Sequence, residues 1–181
     1  MKAPNLSVRE LSAADLDDYV GYWTNASNEY LIGMGVDLAK FPSKEEWYES
    51  LSQQLEQDYT EKTAYCLIWE LDGKAVGHSN VGNIVFGKEA LMHLHLWQPL
   101  TRGKGYGTQF VEKGIPFFFK NLQLQVLRST PYAYNPAPNK TLPKVGFKFI
   151  KKYKTIPGTF NLEQEVNLYE MTKEDFLSRY G

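Results

Sequence analysis

Leu91-Met92-His93-Leu94-His95-Leu96-Trp97-Gln98-Pro99-Leu100-Thr101-Arg102-Gly103-Lys104-Gly105-Tyr106-Gly107-Thr108 is the stretch whose reading decides the fold. It opens with alternating apolar and polar residues, the period of a half-buried strand. Pro99 interrupts that pattern, a glycine-rich turn follows, and the next run has helical spacing. A strand, a glycine turn and a helix N-terminus in this order form a cradle for an anion. Glycine lets the backbone turn and approach a ligand closely. The first amides of a helix lack partners within it and point at whatever sits there, most often a pyrophosphate.

The type of loop follows from its spacing. The Walker pattern Gly-x-x-x-x-Gly-Lys-Ser/Thr is not met, and Gly103-Lys104-Gly105-Tyr106-Gly107-Thr108 lacks the final glycine of a dinucleotide fingerprint. Arg-x-x-Gly-x-Gly is met, by Arg102, Gly105 and Gly107. This resembles the acyl-CoA pyrophosphate loop of the GNAT superfamily of N-acetyltransferases. Arg-Gly-Lys-Gly-Tyr-Gly is also similar, in five of its residues, to the loop of the branch that includes the ribosomal-protein alanine acetyltransferases.

Composition narrows the classes. The chain of 181 residues is long enough for a sizeable core and reads as a single domain, 1–181. With 20 basic and 21 acidic residues, its net charge of -1 gives no electrostatic case for nucleic acid or an anionic membrane. No window of about 18 apolar residues is present to span a bilayer, and Met1-Lys2-Ala3-Pro4 leads into polar sequence rather than a signal peptide. Cys66 is the single cysteine, which excludes an internal disulfide and a multi-cysteine metal site. The expectation is a soluble cytoplasmic protein, monomer or homodimer. Aromatic residues make up 14% of the chain, enough to build both a core and a pocket wall of rings.

Along the chain, Leu6 and Val8 begin a strand, and Ser12 caps a helix through Leu16, Tyr19, Val20 and Trp23. Thr24 to Glu29 breaks it, and Ser43 with Glu46 opens a second helix through Trp47, Leu51 and Leu55. Ala64–Leu71 and Ala75–Phe86 alternate on either side of Asp72-Gly73, the signature of a hairpin. The helix after the glycine loop carries Phe110, Val111, Gly114, Ile115 and Phe118 on one face, and Pro116 should kink it or end it early. Leu122–Tyr134 reads as one strand. Phe149–Ile156 and Val166–Met171 close the chain. Asn135, a short helix and Gly146-Phe147 about ten residues on resemble the closing motif of the same superfamily. The resulting order, β-α-α-β-β-β-α-β-α-β-β, resembles the GNAT topology. It implies an α+β fold with a mixed, mostly antiparallel central sheet flanked by helices.

The resemblance implies transfer of an acetyl group from acetyl-CoA, as cosubstrate, to a primary amine that attacks the thioester directly. Gly103, Lys104, Gly105, Tyr106, Gly107 and Thr108 would hold the pyrophosphate, with Arg102 at its rim. Backbone amides near His95, Leu96 and Trp97 would meet the pantetheine and the thioester oxygen. Asn135 and Asn139 would complete the cofactor set. The joint between the first helices would lie over the acceptor, so Tyr22, Glu29 and Tyr30, with His78, form the expected substrate set.

The chemistry asks for a base, because an alkylammonium has a pKa of about 10.4 and only the neutral amine attacks. His93 and His95 are the candidates. Strand periodicity places them with Leu91 and Trp97 on one face, opposite Met92, Leu94 and Leu96. His93 stands nine residues before Arg102, where relatives carry a His or Glu base. Two departures matter. Thr130 occupies the position of a glutamate base in relatives, and Leu142 that of the tyrosine acid; Tyr132 and Tyr134 lie nearby and could substitute as the acid, Tyr132 on the same parity as Thr130. A zinc site at His78, His93 and His95 lacks a carboxylate or cysteine at ligand spacing, so no metal is expected.

Acceptors compatible with this reading are a protein N-terminus, a polyamine, an aminoglycoside or an amino-acid-like metabolite. The missing carboxylate and tyrosine leave open a non-catalytic acyl-CoA-binding or sensing module. A nucleotide-binding P-loop protein would need the absent Lys-Ser/Thr ending.

Overall fold

The computed structural model describes residues 3–98 and 103–181. Strand β1 (Leu6–Glu10) is followed by helices α1 (Leu16–Thr24), α2 (Asn28–Gly33) and α3 (Lys44–Glu56). Then come β2 (Tyr65–Leu71), β3 (Lys74–Val85), β4 (Glu89–Leu96), α4 (Tyr106–Asn121), β5 (Val126–Ser129) and α5 (Pro136–Lys144). Strands β6 (Lys148–Thr155) and β7 (Gln164–Thr172) and helix α6 (Lys173–Tyr180) complete the described chain. Among the described residues the strands form one seven-stranded sheet in the order β1-β2-β3-β4-β5-β7-β6. Every neighbouring pair is antiparallel except β4 and β5, which run parallel for three residue pairs.

The hairpin forms as its sequence dictates. Asp72 and Gly73 both take positive φ, 53° and 77°, as the tight turn between twisted strands requires. The alternation of β4 sorts its side chains between two cores. Met92, Leu94 and Leu96 join Trp69, Phe110, Ile115 and Phe118 on the α4 side. Trp97 joins Tyr19, Trp23, Leu51 and Ile68 on the side of α1, α2 and α3. The second core is largely rings, with Trp23 and Trp47 stacked at 5.7 Å between centroids. This is where much of the aromatic content goes.

Three expectations change. The strand expected over 122–134 is only Val126–Ser129. Leu122 ends α4, Gln123 takes a positive φ of 52°, and Pro131 has no N–H to give a ladder. Pro116 does not end α4 early: the helix runs on to Asn121, because Phe118 and Phe119 are buried in the first core. Helix α6 was not foreseen. Its signal is local, Thr172 and Asp175 forming a capping box directly after β7.

At Gly77 the backbone of β3 lies close against that of β4. A Cβ there would lie 2.5 Å from the His95 carbonyl oxygen and 3.2 Å from Leu96 Cα, both backbone atoms that cannot swing away. Gly77→Ala should therefore destabilise the fold by about 1–3 kcal/mol. Chemical denaturation reads this directly, and an unchanged midpoint would contradict the close approach.

Candidate active site

The site begins where the sheet opens. β4 and β5 pair only at Glu89↔Val126, Ala90↔Leu127 and Leu91↔Arg128. At the next step the Ser129 hydroxyl donates to the Met92 carbonyl at 2.9 Å, and the ladder goes no further. On its other edge β4 stays paired to β3 as far as the Trp97 N–H, which donates to Val76 O at 2.9 Å. Antiparallel strands alternate their bonding edge. His93, His95 and Trp97 therefore point their main-chain groups at β3, and Met92, Leu94 and Leu96 point theirs toward the gap. The Trp97 amide is thus committed to the sheet. Of the amides expected to meet the thioester oxygen, those of His95 and Trp97 therefore face β3, and that of Leu96 faces the gap.

Side chains from α1, α2, β3 and β4 meet beside this gap. Tyr22 of α1 places its hydroxyl 3.3 Å from His95 Nδ1 and 3.2 Å from the Tyr30 hydroxyl of α2. Its ring lies nearly parallel to that of Trp97. His78 stacks on His95 at 4.7 Å between centroids and is fully buried. Trp97 Nε1 donates to His78 Nδ1 at 2.7 Å. That bond puts the proton of a neutral His78 on Nε2, which is buried with no protein acceptor. His78 therefore does not meet a substrate as expected. It lies beneath Tyr19 and Tyr22, because β3 aims it into the ring-filled core under α1. Glu29 lies exposed on α2.

The glycine turn leads straight into α4. Gly105 is its N-cap, in the left-handed conformation at φ 77°, and supplies no side-chain cap. Gly103 has φ 75°, and a Cβ at either glycine would meet nothing within 4 Å. In the first turn of α4 a Cβ at Gly107 would stand 3.7 Å from Leu96 Cδ1, so the helix starts against the end of β4, with Lys104 between the two glycines. Arg102 lies outside the described residues. Across the gap, Tyr132 stands on the continuation of β5 as an isolated bridge to Val166. Asn135 caps α5, its side chain accepting from the Ala137 N–H. Asn139 departs from expectation. Its Nδ2 donates to the Tyr132 and Asn135 carbonyls, and its Oδ1 accepts from Asn167 Nδ2 and the Tyr169 hydroxyl. A carboxamide has two donors and two acceptor positions. All are used, so Asn139 ties β5 to α5 and β7 rather than holding a cofactor. Leu142 is fully buried core.

The sequence matches the Acetyltransferase (GNAT) domain family over residues 5–148. The chain belongs to the GNAT acetyltransferase family. Solved structures share the fold at low identity. A ribosomal L7/L12 alpha-N-protein acetyltransferase in complex with coenzyme A has a TM-score of 0.74 at 14% identity, over 92% of this chain and 93% of that one. The ribosomal-protein-S5-alanine acetyltransferase of Vibrio fischeri gives 0.74 at 19%, over 97% of each chain. A spermidine N-acetyltransferase from Vibrio cholerae, in complex with CoA and spermine, gives 0.74 at 17%, over 95% and 98%. Among curated proteins none matches by sequence.

In this GNAT domain two histidines are kept neutral. Burial, then the nearby His95 and His93, push His78 well below its ordinary pKa of 6.5. Burial lowers His93 to about 4. Both are bases whose folded pKa is depressed, so the unfolded chain binds protons that the folded chain refuses. Stability should hold above about pH 6.5 and decline progressively as pH falls toward 4. Melting temperature against pH tests this. His93→Gln should flatten the decline, and an identical slope in the variant would contradict the assignment.

Proposed function

We propose that this acetyltransferase moves the acetyl group of acetyl-CoA to a primary amine, with His95 receiving the amine's proton. The observation that carries the reading is the line His95 Nδ1, Tyr22 hydroxyl, Tyr30 hydroxyl, with steps of 3.3 and 3.2 Å, beside a gap in the sheet. Each group in that line can both give and take a proton. A proton accepted at His95 can therefore be passed toward α2 and away from the reacting nitrogen.

The uncapped start of α4 and the open space over Gly103 and Gly105 fit a diphosphate. Acetyl-CoA, when bound, supplies the activated thioester carbon. The main-chain N–H groups of β4 that face the gap would take the negative charge developing on the thioester oxygen. The amine nitrogen bonds to the carbonyl carbon, the C–S bond breaks, and the sulfur takes a proton for which Tyr132 is the proposed source. Tyr22 and Tyr30 line the acceptor's approach, with Glu29 at its outer edge. The fold neighbours, named for ribosomal-protein and spermidine acetylation, support acceptors that are protein or small-molecule amines.

His95→Ala should lower kcat about 10²–10⁴-fold with little change in CoA affinity. Tyr22→Phe should give a smaller loss. CoA release across an amine panel measures the first quantity and calorimetry the second. A His95→Ala enzyme with undiminished kcat would remove His95 from the mechanism.

A further inference from the structure

A polar cavity of about 390 Å³ lies on the same side of the sheet as His93 and His95. Its size falls within the usual range for small-ligand sites. It is lined by the start of β4 with Glu89 and Leu91, by Arg128 of β5 and by Thr130 just beyond that strand. Lys151 and Tyr153 of β6 form its wall. Leu91 is two residues from His93 and four from His95 on one face of β4, so the cavity stands roughly 13 Å along the strand from His95.

The charges are unevenly matched. Arg128 is bonded on one side to Glu170, at 2.6 Å, and on the other to Glu89. Lys148, Lys152 and Lys154 of β6 each pair with a carboxylate, of Asp175, Glu165 and Glu163. Lys151 has no carboxylate partner among the described residues. It is held 5.0 Å from the centre of the Tyr153 ring. Of the charged side chains that line the cavity, Arg128 and Lys151 are positive and Glu89 alone is negative, while Glu170 meets Arg128 from outside the lining. The ligand-facing charge without a counter-ion is positive. In addition, the Thr130 hydroxyl is buried at the floor with no partner in the protein. A buried polar group left unpaired is costly, and such groups are found where a ligand or water completes the bond.

We infer that the cavity reads an anionic group, a carboxylate, on the far end of the acceptor. Lys151 is the specificity-determining residue. The inference rests on the proposed amine acetylation and adds the acceptor's class. An amine at His95 and an anion in the cavity beside Leu91, roughly 13 Å along β4, lie too far apart for a single α-amino acid. The span corresponds to about three or four extended residues. The class is therefore an acidic peptide N-terminus, borne by a free short peptide or by a folded protein.

The test uses the full chain with acetyl-CoA and alanine tetrapeptide amides whose fourth residue is Glu, Gln or Lys. Each is offered free and fused to the N-terminus of a folded carrier. The Glu acceptor should exceed the Gln acceptor in kcat/KM by about two- to fivefold, with Lys lower still. Lys151→Glu should invert the order of Glu and Lys while leaving turnover of a short uncharged-tailed amine unchanged. A preference seen in both formats, or in the fused one alone, supports the inference and identifies the source. Equal rates for Glu and Gln, or an order that Lys151→Glu leaves intact, would overturn it while amine acetylation stands. If every amine is inert although acetyl-CoA binds, the proposed function fails. Calorimetric binding of the same peptides to the CoA-loaded protein then decides the cavity, a Glu preference supporting it and none overturning it.

Discussion

The structure depends on keeping β4 and β5 together for three residue pairs and apart thereafter. Two independent restraints hold the strands apart. On one side β4 is drawn to β3 as far as the Trp97–Val76 bond, and the missing side chain of Gly77 lets the strands close to that distance. On the other side β5 is drawn to β7. Asn167 N–H donates to Pro131 O, Ala133 N–H donates to Glu165 O, and the four bonds of Asn139 fasten this segment to α5 and β7. Ser129 covers the first exposed carbonyl of the gap. The opening is thus a consequence of better partners elsewhere, and on this edge the main-chain groups of Met92, Leu94 and Leu96 face away from β3.

The ring-rich second core then determines what stands beside the gap. It buries His78 completely and fixes that ring through Trp97, so that His78 acts as a support against which His95 stacks. Tyr22 holds the opposite side of His95. The cost is visible in the unpartnered His78 Nε2 and in the buried indole nitrogens of Trp23 and Trp47. Burial enforces neutrality at His78 and His93. The side of the sheet that carries the histidines also carries the cavity beneath Lys151.

Much of this was legible in the sequence because it is local. The alternation of Met92, Leu94 and Leu96 against His93, His95 and Trp97 assigned each set to its side. Asp72-Gly73 specified the hairpin, and Gly103 to Thr108 specified a turn into a helix. What stayed hidden depends on distant partners. The short β5 follows from its competition between β4 and β7. The work of Asn139 lies with Asn167 and Tyr169, some thirty residues away. His78 looked like a site residue because periodicity gives a face but not what covers it, and α1 covers this one. The cavity joins residues of β3, β4, β5 and β6, which no spacing rule brings together. The capping box of Thr172 and Asp175 before α6 is itself a local signal.

The central claim is that the parted strand and the uncapped start of α4 hold the acyl carrier. Backbone amide shifts recorded during titration with CoA test it most directly. The account predicts that the largest changes fall on Leu94, Leu96 and the run from Gly103 to Thr108, while Trp97, bonded to Val76, moves less. Changes confined to other surfaces, with those amides unmoved at saturating CoA, would contradict it.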